Sequence, residues 1–486
     1  MGQAVQGVRA FARETFASRD FWLVTCAVCL ANLSVQLMNR ALFPLFDDVF
    51  TYARDISITC SALVSIAVGL LSLVRPSLLG GRRLMTVMLG MWALGVAGIW
   101  AGVALRMPVL LAVGACLFVS SRGWTSVSSN LAAVALPAPQ AVVAIASGAT
   151  LGQLLDLAMR LACPQPLSIA FLVACVPLAL LCVRRPSCAL ADEIAAGPAA
   201  ADLSITRPAS YLPLTSNLYV CLILVQVAFG FALRFGEVAG VPSFGNLGLP
   251  FALLTALACV AMRGRFVGDE IVNVSLLALS AGFLLVIVGG SSSVILANGL
   301  LTVGTCVFGI ALNSTLVALA GRNRLAALSI AGWGQGMSGL ATTLGALLGT
   351  TANGMAAAGD YRQLTLFVAV ILLVLIAYML FGLRGFSLAT TIEGVVPPEP
   401  EAEVDLAPTA DEAFAARCAR VAAAHQLTPR EAEVFEMLAR GRNREYIEER
   451  LSVSRNTAKA HVKHVYAKLD IHSHQELIDL VEREGM

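Results

Sequence analysis

The sequence has few charged residues for its length. Of its 486 residues only 13% are Asp, Glu, Lys or Arg, whereas 58% are hydrophobic and the mean hydropathy is +0.79. A water-soluble globule of this size would need more charge to cover its surface. We therefore predict that most of the chain lies in a lipid bilayer.

Other features that the sequence lacks exclude further classes of protein. The 12 cysteines are scattered singly and give no disulfide framework, and the close pair Cys26 and Cys29 lies in an apolar segment, where packing is favoured over metal or redox chemistry. No nucleophile–base constellation or metal-ligand spacing occurs. We expect no enzymatic activity, no catalytic residue, no metal and no cofactor. The first apolar segment is too long for a cleaved signal peptide and is expected to remain as an anchor.

Apolar runs of about 20 residues, the length that spans a bilayer, recur about twelve times. Their approximate bounds are 21–46, 56–74, 84–105, 109–136, 142–162, 167–183, 217–232, 247–261, 271–288, 294–319, 327–348 and 364–383. The predicted fold class is all-α: a polytopic membrane helical bundle over 21–384, preceded by a cytoplasmic N-terminus at 1–20.

Arginines mark one side of this bundle. They precede the first span, occur in the connections after the second, sixth, eighth and tenth spans, and follow the last span: Arg9, Arg13, Arg19, Arg75, Arg82, Arg83, Arg184, Arg185, Arg263, Arg265, Arg322, Arg324 and Arg384. Positively charged connections remain in the cytoplasm. We therefore predict a multi-pass protein of the inner (plasma) membrane with both termini in the cytoplasm.

A longer polar stretch at 184–216 divides the bundle into halves, 21–183 and 217–384. Two sets of about six helices with a central cytoplasmic loop are the layout of transporters that bind at the bilayer mid-plane. In hydropathy, topology and the residues Gly81, Arg82 and Arg83, this region resembles the major facilitator superfamily. The resemblance implies that the first, fourth, seventh and tenth helices line a central cavity.

Ionisable and amide side chains inside spans are expensive and therefore mark candidate ligand contacts. The candidate sensing residues are Arg40, Arg122, Trp124, Asp156, Arg234 and Asn313. Buried arginines with aromatic neighbours suit an anionic or aromatic small molecule. The alternative is structural: Asp156 pairs with Arg160 or Arg122, Arg234 pairs with Glu237, and the pairs only hold helices together.

The composition changes after residue 384. Residues 385–410 contain four prolines and several acidic residues but no basic one, which is typical of an extended, self-repelling linker. A passive tether and a segment that inhibits the basic tail both fit this composition.

Residues 411–486 show the signals of a small helical domain. After a short helix at 411–424, Thr428, Pro429 and Glu431 form a capping box with proline at the first helical position, and Gly441 ends that helix. A second helix is predicted at 444–451, and a third begins at its N-cap, Ser454. The third helix has two distinct faces: an apolar stripe of Ala458, Val462, Val465 and Leu469, and a basic face of Arg455, Lys459 and Lys463. This order predicts a helix-turn-helix.

The tail resembles the LuxR-type (GerE-like) four-helix DNA-binding domain. The residues that carry the resemblance are 427–431, 438–441 and 449–451, with Ile447, Val453, Ser454, Thr457, Lys459, His461, Lys468 and Leu469. The resemblance implies base contacts from Lys459, Ala460 and Lys463, and contacts nearer phosphate from Arg455, Asn456, Thr457 and His464. It also implies that a closing helix near 475–482 makes the contact of a homodimer on DNA.

The membrane region is the only candidate input, because no receiver-like α/β stretch precedes the tail. The whole chain resembles membrane-spanning LuxR-type regulators with about twelve helices. That resemblance implies a one-component transcriptional regulator whose partners are promoter double-stranded DNA, the lipid bilayer and an unknown small-molecule ligand. The alternative is a major-facilitator-type transporter with an appended regulatory tail.

Overall fold

A computed structural model of the chain describes residues 2–197, 212–213, 216–235, 248–264, 268–288, 290–384, 386–395 and 410–483. Over these ranges the chain forms helices and no β-strand, so the all-α prediction is confirmed. The chain divides into two compact units, Met1–Pro398 and Glu399–Met486.

The first unit begins with α1 (Gly2–Ala17), in a stretch that was predicted only as an N-terminus. Helices at the positions of the predicted spans follow it: α2 (Arg19–Asp47), α3 (Ala53–Val74), α4 (Gly81–Ala104), α5 (Pro108–Ala133), α6 (Ala138–Ala162), α7 (Gln165–Ala196), α8 (Asn217–Arg234), α9 (Gly248–Ala261), α10 (Gly268–Val288), α11 (Gly290–Arg322), α12 (Ala327–Ala357) and α13 (Tyr361–Gly382).

Within the described ranges, ten helices are long and apolar enough to cross a membrane. The other two helices of the series differ in ways that the sequence explains: α9 has only 14 residues, and α12 is long but rich in Gly, Ser and Thr. The molecule is a multi-pass membrane protein.

Two predicted boundaries were wrong. Helix α7 extends to Ala196, into the predicted loop 184–216, because its alanine-rich end has high helix propensity and Asp192 accepts a hydrogen bond from the Gly81 backbone N at 2.8 Å. After α13, a short helix α14 (Leu388–Gly394) packs onto the first unit with Leu388 2% exposed. The first residues of the predicted linker therefore belong to the membrane unit; residues 396–409 lie outside the described ranges.

Small residues let the two halves approach closely. Gly69 of α3 and Gly332 of α12 meet backbone to backbone, so that a Cβ on Gly332 would lie 3.0 Å from the Gly69 Cα. Thr59 donates a hydrogen bond to Thr343 at 3.3 Å between the same two helices. A buried cluster that includes Ala252 of α9 also joins the halves. Such contacts replace the hydrophobic drive that lipid does not supply.

Over its described residues, 410–483, the second unit has five helices: α15 (Ala410–Ala424), α16 (Pro429–Ala439), α17 (Arg444–Leu451), α18 (Arg455–Leu469) and α19 (His474–Arg483). Its own core includes Phe435, Ile447, Val465 and Leu477, all fully buried. Cys418 of α15 joins this core. The predicted second helix, 444–451, has the bounds of α17, and α15 adds a helix before the four-helix domain.

Candidate functional sites

The third helix of the tail, α18, is held at its N-terminus by local hydrogen bonds. Ser454 caps it and accepts a hydrogen bond from the Thr457 backbone N at 3.3 Å. Ser452, in the turn before it, adopts φ 51°, the left-handed conformation that ends α17. Two short helices joined by such a turn form the predicted helix-turn-helix.

One face of α18 is buried and another is open to solvent. Ala458, Val465 and Leu469 are in the core, and Val462 is partly buried. The seven residues predicted to contact DNA are all exposed: Arg455, Asn456, Thr457, Lys459, Ala460, Lys463 and His464. They lie together on α18, where they are free of the core; their contact with DNA stays a prediction.

Lys468 has a different environment from the two other lysines of the chain, Lys459 and Lys463, which are also on α18. Its Nζ donates to Glu431 Oε2 at 2.6 Å and to the Gln426 carbonyl at 3.1 Å. The Lys468 ammonium, with the Thr428 backbone N–H, lowers the pKa of Glu431 to about 2. This ion pair ties α18 to the capping box of α16, a contact that residue spacing did not reveal.

A polar cavity of about 210 Å³ lies between the two halves of the first unit. Both halves contribute to its lining: Val28, Ala31, Asn32, Val35, Gln36, Ser126, Ser129, Asn130, Ile145, Ala149 and Gln153 from the first, and Gln226, Phe229, Thr302, Thr305, Cys306, Gly309, Ile310, Asn313 and Gln335 from the second. The volume is somewhat below the range of about 300–1,000 Å³ that is usual for drug-sized ligands.

Hydrogen bonds cross this cavity region between the halves. Asn130 Nδ2 donates to Asn313 Oδ1 at 3.0 Å, and Gln153 Nε2 approaches Cys306 Sγ at 2.6 Å. Gly309, one turn before Asn313, leaves open space where another residue would place a side chain. A molecule in the cavity therefore contacts polar groups of both halves at once.

Of the six candidate sensing residues, only Asn313 lines this cavity. Asp156 instead pairs with Arg160 at 2.7 Å, one of the pairings considered above, and with Arg40 at 3.4 Å. Arg234 pairs with Asp55 of α3 at 3.0 Å, whereas Glu237 lies outside the described residues. The structure thus separates Arg40 and Arg234 from Asn313; their role in sensing stays a prediction.

Arg122 and Trp124 lie in the middle of α5 and are 7% and 6% exposed. Among the described residues, Arg122 Nε and Nη1 have no hydrogen-bond partner. By helical register Arg122 shares a face with Ser126 and Ser129, which line the cavity one and two turns further along. Its role in sensing also stays a prediction.

Sequence reasoning missed most of the cavity. Gln226, Thr302 and Thr305 carry no charge, and nothing in their spacing separates them from polar residues that pack between helices. Gln153 and Gln335 are amides within apolar spans, which by itself does not place them at a cavity. The signal that was available is polarity in the helices that the transporter resemblance places around the centre.

Comparison with known proteins supports this division of the chain. Residues 425–481 match the family described as bacterial regulatory proteins, luxR family (GerE). The uncharacterized response regulatory protein YgeK of Escherichia coli (strain K12) is 37% identical over 67 residues, which are 14% of this chain and 46% of YgeK. The chain thus spans about half the length of this curated relative. Helices α16–α19 are a LuxR-type DNA-binding domain.

Two solved structures resemble the chain over most of its length. A bacterial homologue of the iron transporter ferroportin, in an outward-facing state, has a TM-score of 0.51 at 14% identity, over 76% of this chain and 100% of its own. The proton:xylose symporter XylE, a major facilitator superfamily protein, has a TM-score of 0.51 at 10% identity, over 78% and 98%. At such identity the likeness shows the fold alone. The first unit has a major-facilitator-like fold, and the molecule combines it with a LuxR-type domain.

Proposed function

We propose that the protein is a membrane-bound one-component transcriptional regulator. A small molecule bound in the cavity between the halves controls sequence-specific DNA binding by the LuxR-type domain. The observation that carries this proposal is that one chain combines two features. The first is a polar cavity lined by both halves. The second is a capped helix whose basic face is exposed, as in helix-turn-helix proteins that bind DNA.

The contacts around α14 tie the chain that leads to the tail to the second half of the bundle. Asp269, at the start of α10, accepts hydrogen bonds from Ser387 Oγ and from the Leu388 backbone N, both at 2.6 Å. Movement of the second half is therefore passed to the segment that leaves α13. A ligand changes the populations of two bundle states only if it binds one of them more tightly.

The compartment of the tail follows from the arginine pattern. With positive connections inside, both termini lie in the cytoplasm of a cell whose inner membrane holds the bundle, so the tail meets DNA. There it acts as a homodimer through α19 on a site of two half-sites, as the LuxR-type resemblance implies.

The test has two stages. Residues 410–486, which have their own core, are used to select binding fragments from genomic DNA, and a selected fragment then drives a reporter in cells with the full chain. A screen of small molecules should find one that changes reporter output. Asn313→Ala should abolish that response while the selected fragment is still bound, and Thr343→Ala, outside the cavity, should retain it. Failure of the tail to enrich any fragment would refute the proposal.

The second candidate is a transporter whose tail reports occupancy, which the major-facilitator-like fold favours. A compound that changes the reporter is tested for uptake into proteoliposomes. Accumulation that Asn313→Ala abolishes would establish transport, whereas binding without accumulation would establish a sensor alone.

A further inference from the structure

We infer that the cavity between the halves selects an uncharged small molecule that carries several hydroxyl, amide or carbonyl groups. This ligand class holds only if the cavity is the sensing site proposed above. It differs from the anionic ligand that the arginines in the spans suggest.

The chemistry of the lining carries this inference. Seven amide side chains, four hydroxyls and one thiol face the cavity, and none of its described lining residues is Asp, Glu, Lys, Arg or His. Amides and hydroxyls both donate and accept hydrogen bonds. Such a lining complements a molecule whose surface alternates donors and acceptors.

Several of these groups are available for a ligand. Gln36 and Gln335, one from each half, make no side-chain hydrogen bond with any described residue, and Gln153 Oε1 is buried and accepts no hydrogen bond from a described residue. Other lining amides are already engaged: Asn32 Nδ2 donates to the Val28 carbonyl and Asn313 Nδ2 to the Gly309 carbonyl. These glutamine groups come from both halves, so that one ligand can join the halves.

A charged ligand would fit this lining poorly. It would leave water without meeting a side chain of opposite charge, and an unpaired buried charge costs much more than a neutral group that regains its hydrogen bonds. Such a lining also distinguishes a ligand that has a given polar group from an analogue that lacks it, because the analogue leaves a buried amide of the protein without a hydrogen bond.

Arg122 is the basis of the competing ligand class. It lies one helical turn from Ser126 and carries nitrogens without a described partner, so the competing hypothesis is that a small anion draws its guanidinium toward the cavity. The lining favours the neutral class, because Arg122 itself is not among the residues that face the cavity. The experiment below separates the two.

Cys306 allows the charge preference of the cavity to be measured without knowing the ligand. The full-length protein in nanodiscs is treated with three methanethiosulfonate reagents of similar size, one neutral (hydroxyethyl), one anionic (sulfonatoethyl) and one cationic (trimethylammonioethyl). Peptide mass spectrometry measures the modification rate at Cys306, divided by the rate for free cysteine. We expect the neutral reagent to be at least about tenfold faster than either charged one.

Two variants make the result decisive. Asn313→Asp places a carboxylate of the same shape in the cavity and should raise the rate of the cationic reagent relative to the anionic one. Arg122→Ala should leave the neutral preference in place. A faster anionic reagent whose advantage disappears in Arg122→Ala would overturn the neutral class in favour of an anion. No labelling of Cys306 by any reagent would show that the cavity admits no small molecule, which would overturn the ligand site while DNA selection by the tail still stands.

Discussion

The two units use their charges in different ways. In the membrane unit, ion pairs such as Arg234 with Asp55 and Arg40 with Asp156 join residues that are distant in the chain, although Asp156 also pairs with Arg160 one turn away. Asp156 is 3% exposed. In the tail most pairs are local and exposed, such as Arg430 with Glu433 and Arg440 with Glu436. The membrane unit uses charge to hold helices together, whereas the tail leaves most of its charge on the surface.

This difference predicts where a charge substitution changes stability and where it changes binding. Removing one member of a buried pair leaves its partner unpaired, whereas exposed charges interact weakly with the protein but strongly with phosphate. The following substitutions test the contrast, from the largest expected effect to the smallest.

The largest effect is expected for Asp156→Ala in the membrane unit. It leaves Arg40 and Arg160 without the carboxylate that they share, which should destabilise the unit by about 3–5 kcal/mol. The control is Glu193→Ala, whose pair with Arg324 is about half exposed and should contribute at most about 1 kcal/mol. Thermal unfolding in one detergent measures both. Equal losses of stability from the two substitutions would contradict the difference between buried and exposed ion pairs.

The next effect is on DNA binding by the tail. Lys459→Ala with Lys463→Ala removes two exposed ammonium groups of α18 and should weaken binding to a selected DNA fragment about 100-fold at physiological salt, because each base contact contributes about 1–3 kcal/mol. Gel shift measures the affinity, and circular dichroism should show an unchanged fold. Arg420→Ala on α15 is the matched control. Unchanged affinity of the double variant would refute the DNA-binding face.

Glu431→Ala tests the ion pair between Glu431 and Lys468, which joins two helices of the tail and is not local. This substitution removes half of the capping box and leaves Lys468 without its carboxylate partner, so the free energy of unfolding of residues 410–486 should fall by about 1–3 kcal/mol. Urea denaturation measures it. If the loss were no greater than that of the exposed Glu433, the ion pair would have no structural role.

The same carboxyl group predicts a pH dependence. The pKa of Glu431 is lowered from 4.5 to about 2 in the folded tail, so its stabilising contribution is complete above about pH 4.5 and is lost as the pH falls toward 2. Denaturation at a series of pH values should show this loss in the native tail and a smaller one in Glu431→Gln. If the stability of the native tail and of Glu431→Gln fell in parallel with pH, the pH dependence would not come from Glu431.

The smallest effect is expected for Glu433→Gln. Its exposed pair with Arg430 spans three residues of α16, and such pairs contribute about 0.2–0.5 kcal/mol. The free energy of unfolding of the tail should therefore change by less than the error of most denaturation curves. A loss of more than about 1 kcal/mol would remove the distinction between local and buried pairs.

Features that depend on residues close together in the chain could be predicted from the sequence, whereas features that depend on distant residues could not. The capping box at Thr428, the N-cap Ser454 and the bounds of α17 depend on residues within four positions of one another, so their spacing predicted them correctly. The positions and order of the apolar helices were also predictable, because a span is a local run of apolar residues, although ten of the described helices, not twelve, are long and apolar enough to cross a membrane. Residues 184–196 were the exception, since their helix is held by Gly81 and Arg324, which are distant in sequence.

The cavity could not be predicted in this way. That Gln153 approaches Cys306, or that Asn130 meets Asn313, depends on how helices from different halves are placed. The sequence drew attention to arginines because a buried charge is rare, yet the residues that surround the cavity are neutral and common.

The distribution of lysine has a practical consequence. The whole sequence contains three lysines, all on α18: Lys459 and Lys463 are open to solvent, and Lys468 is engaged with Glu431. An amine-reactive acylating reagent applied to intact membranes therefore modifies lysine side chains of this protein only at that helix. Bound DNA should protect Lys459 and Lys463 from acylation, while the reactivity of Lys468 serves as an internal reference. Footprinting by mass spectrometry can thus report occupancy of the tail in its native membrane without a tag or a purified complex.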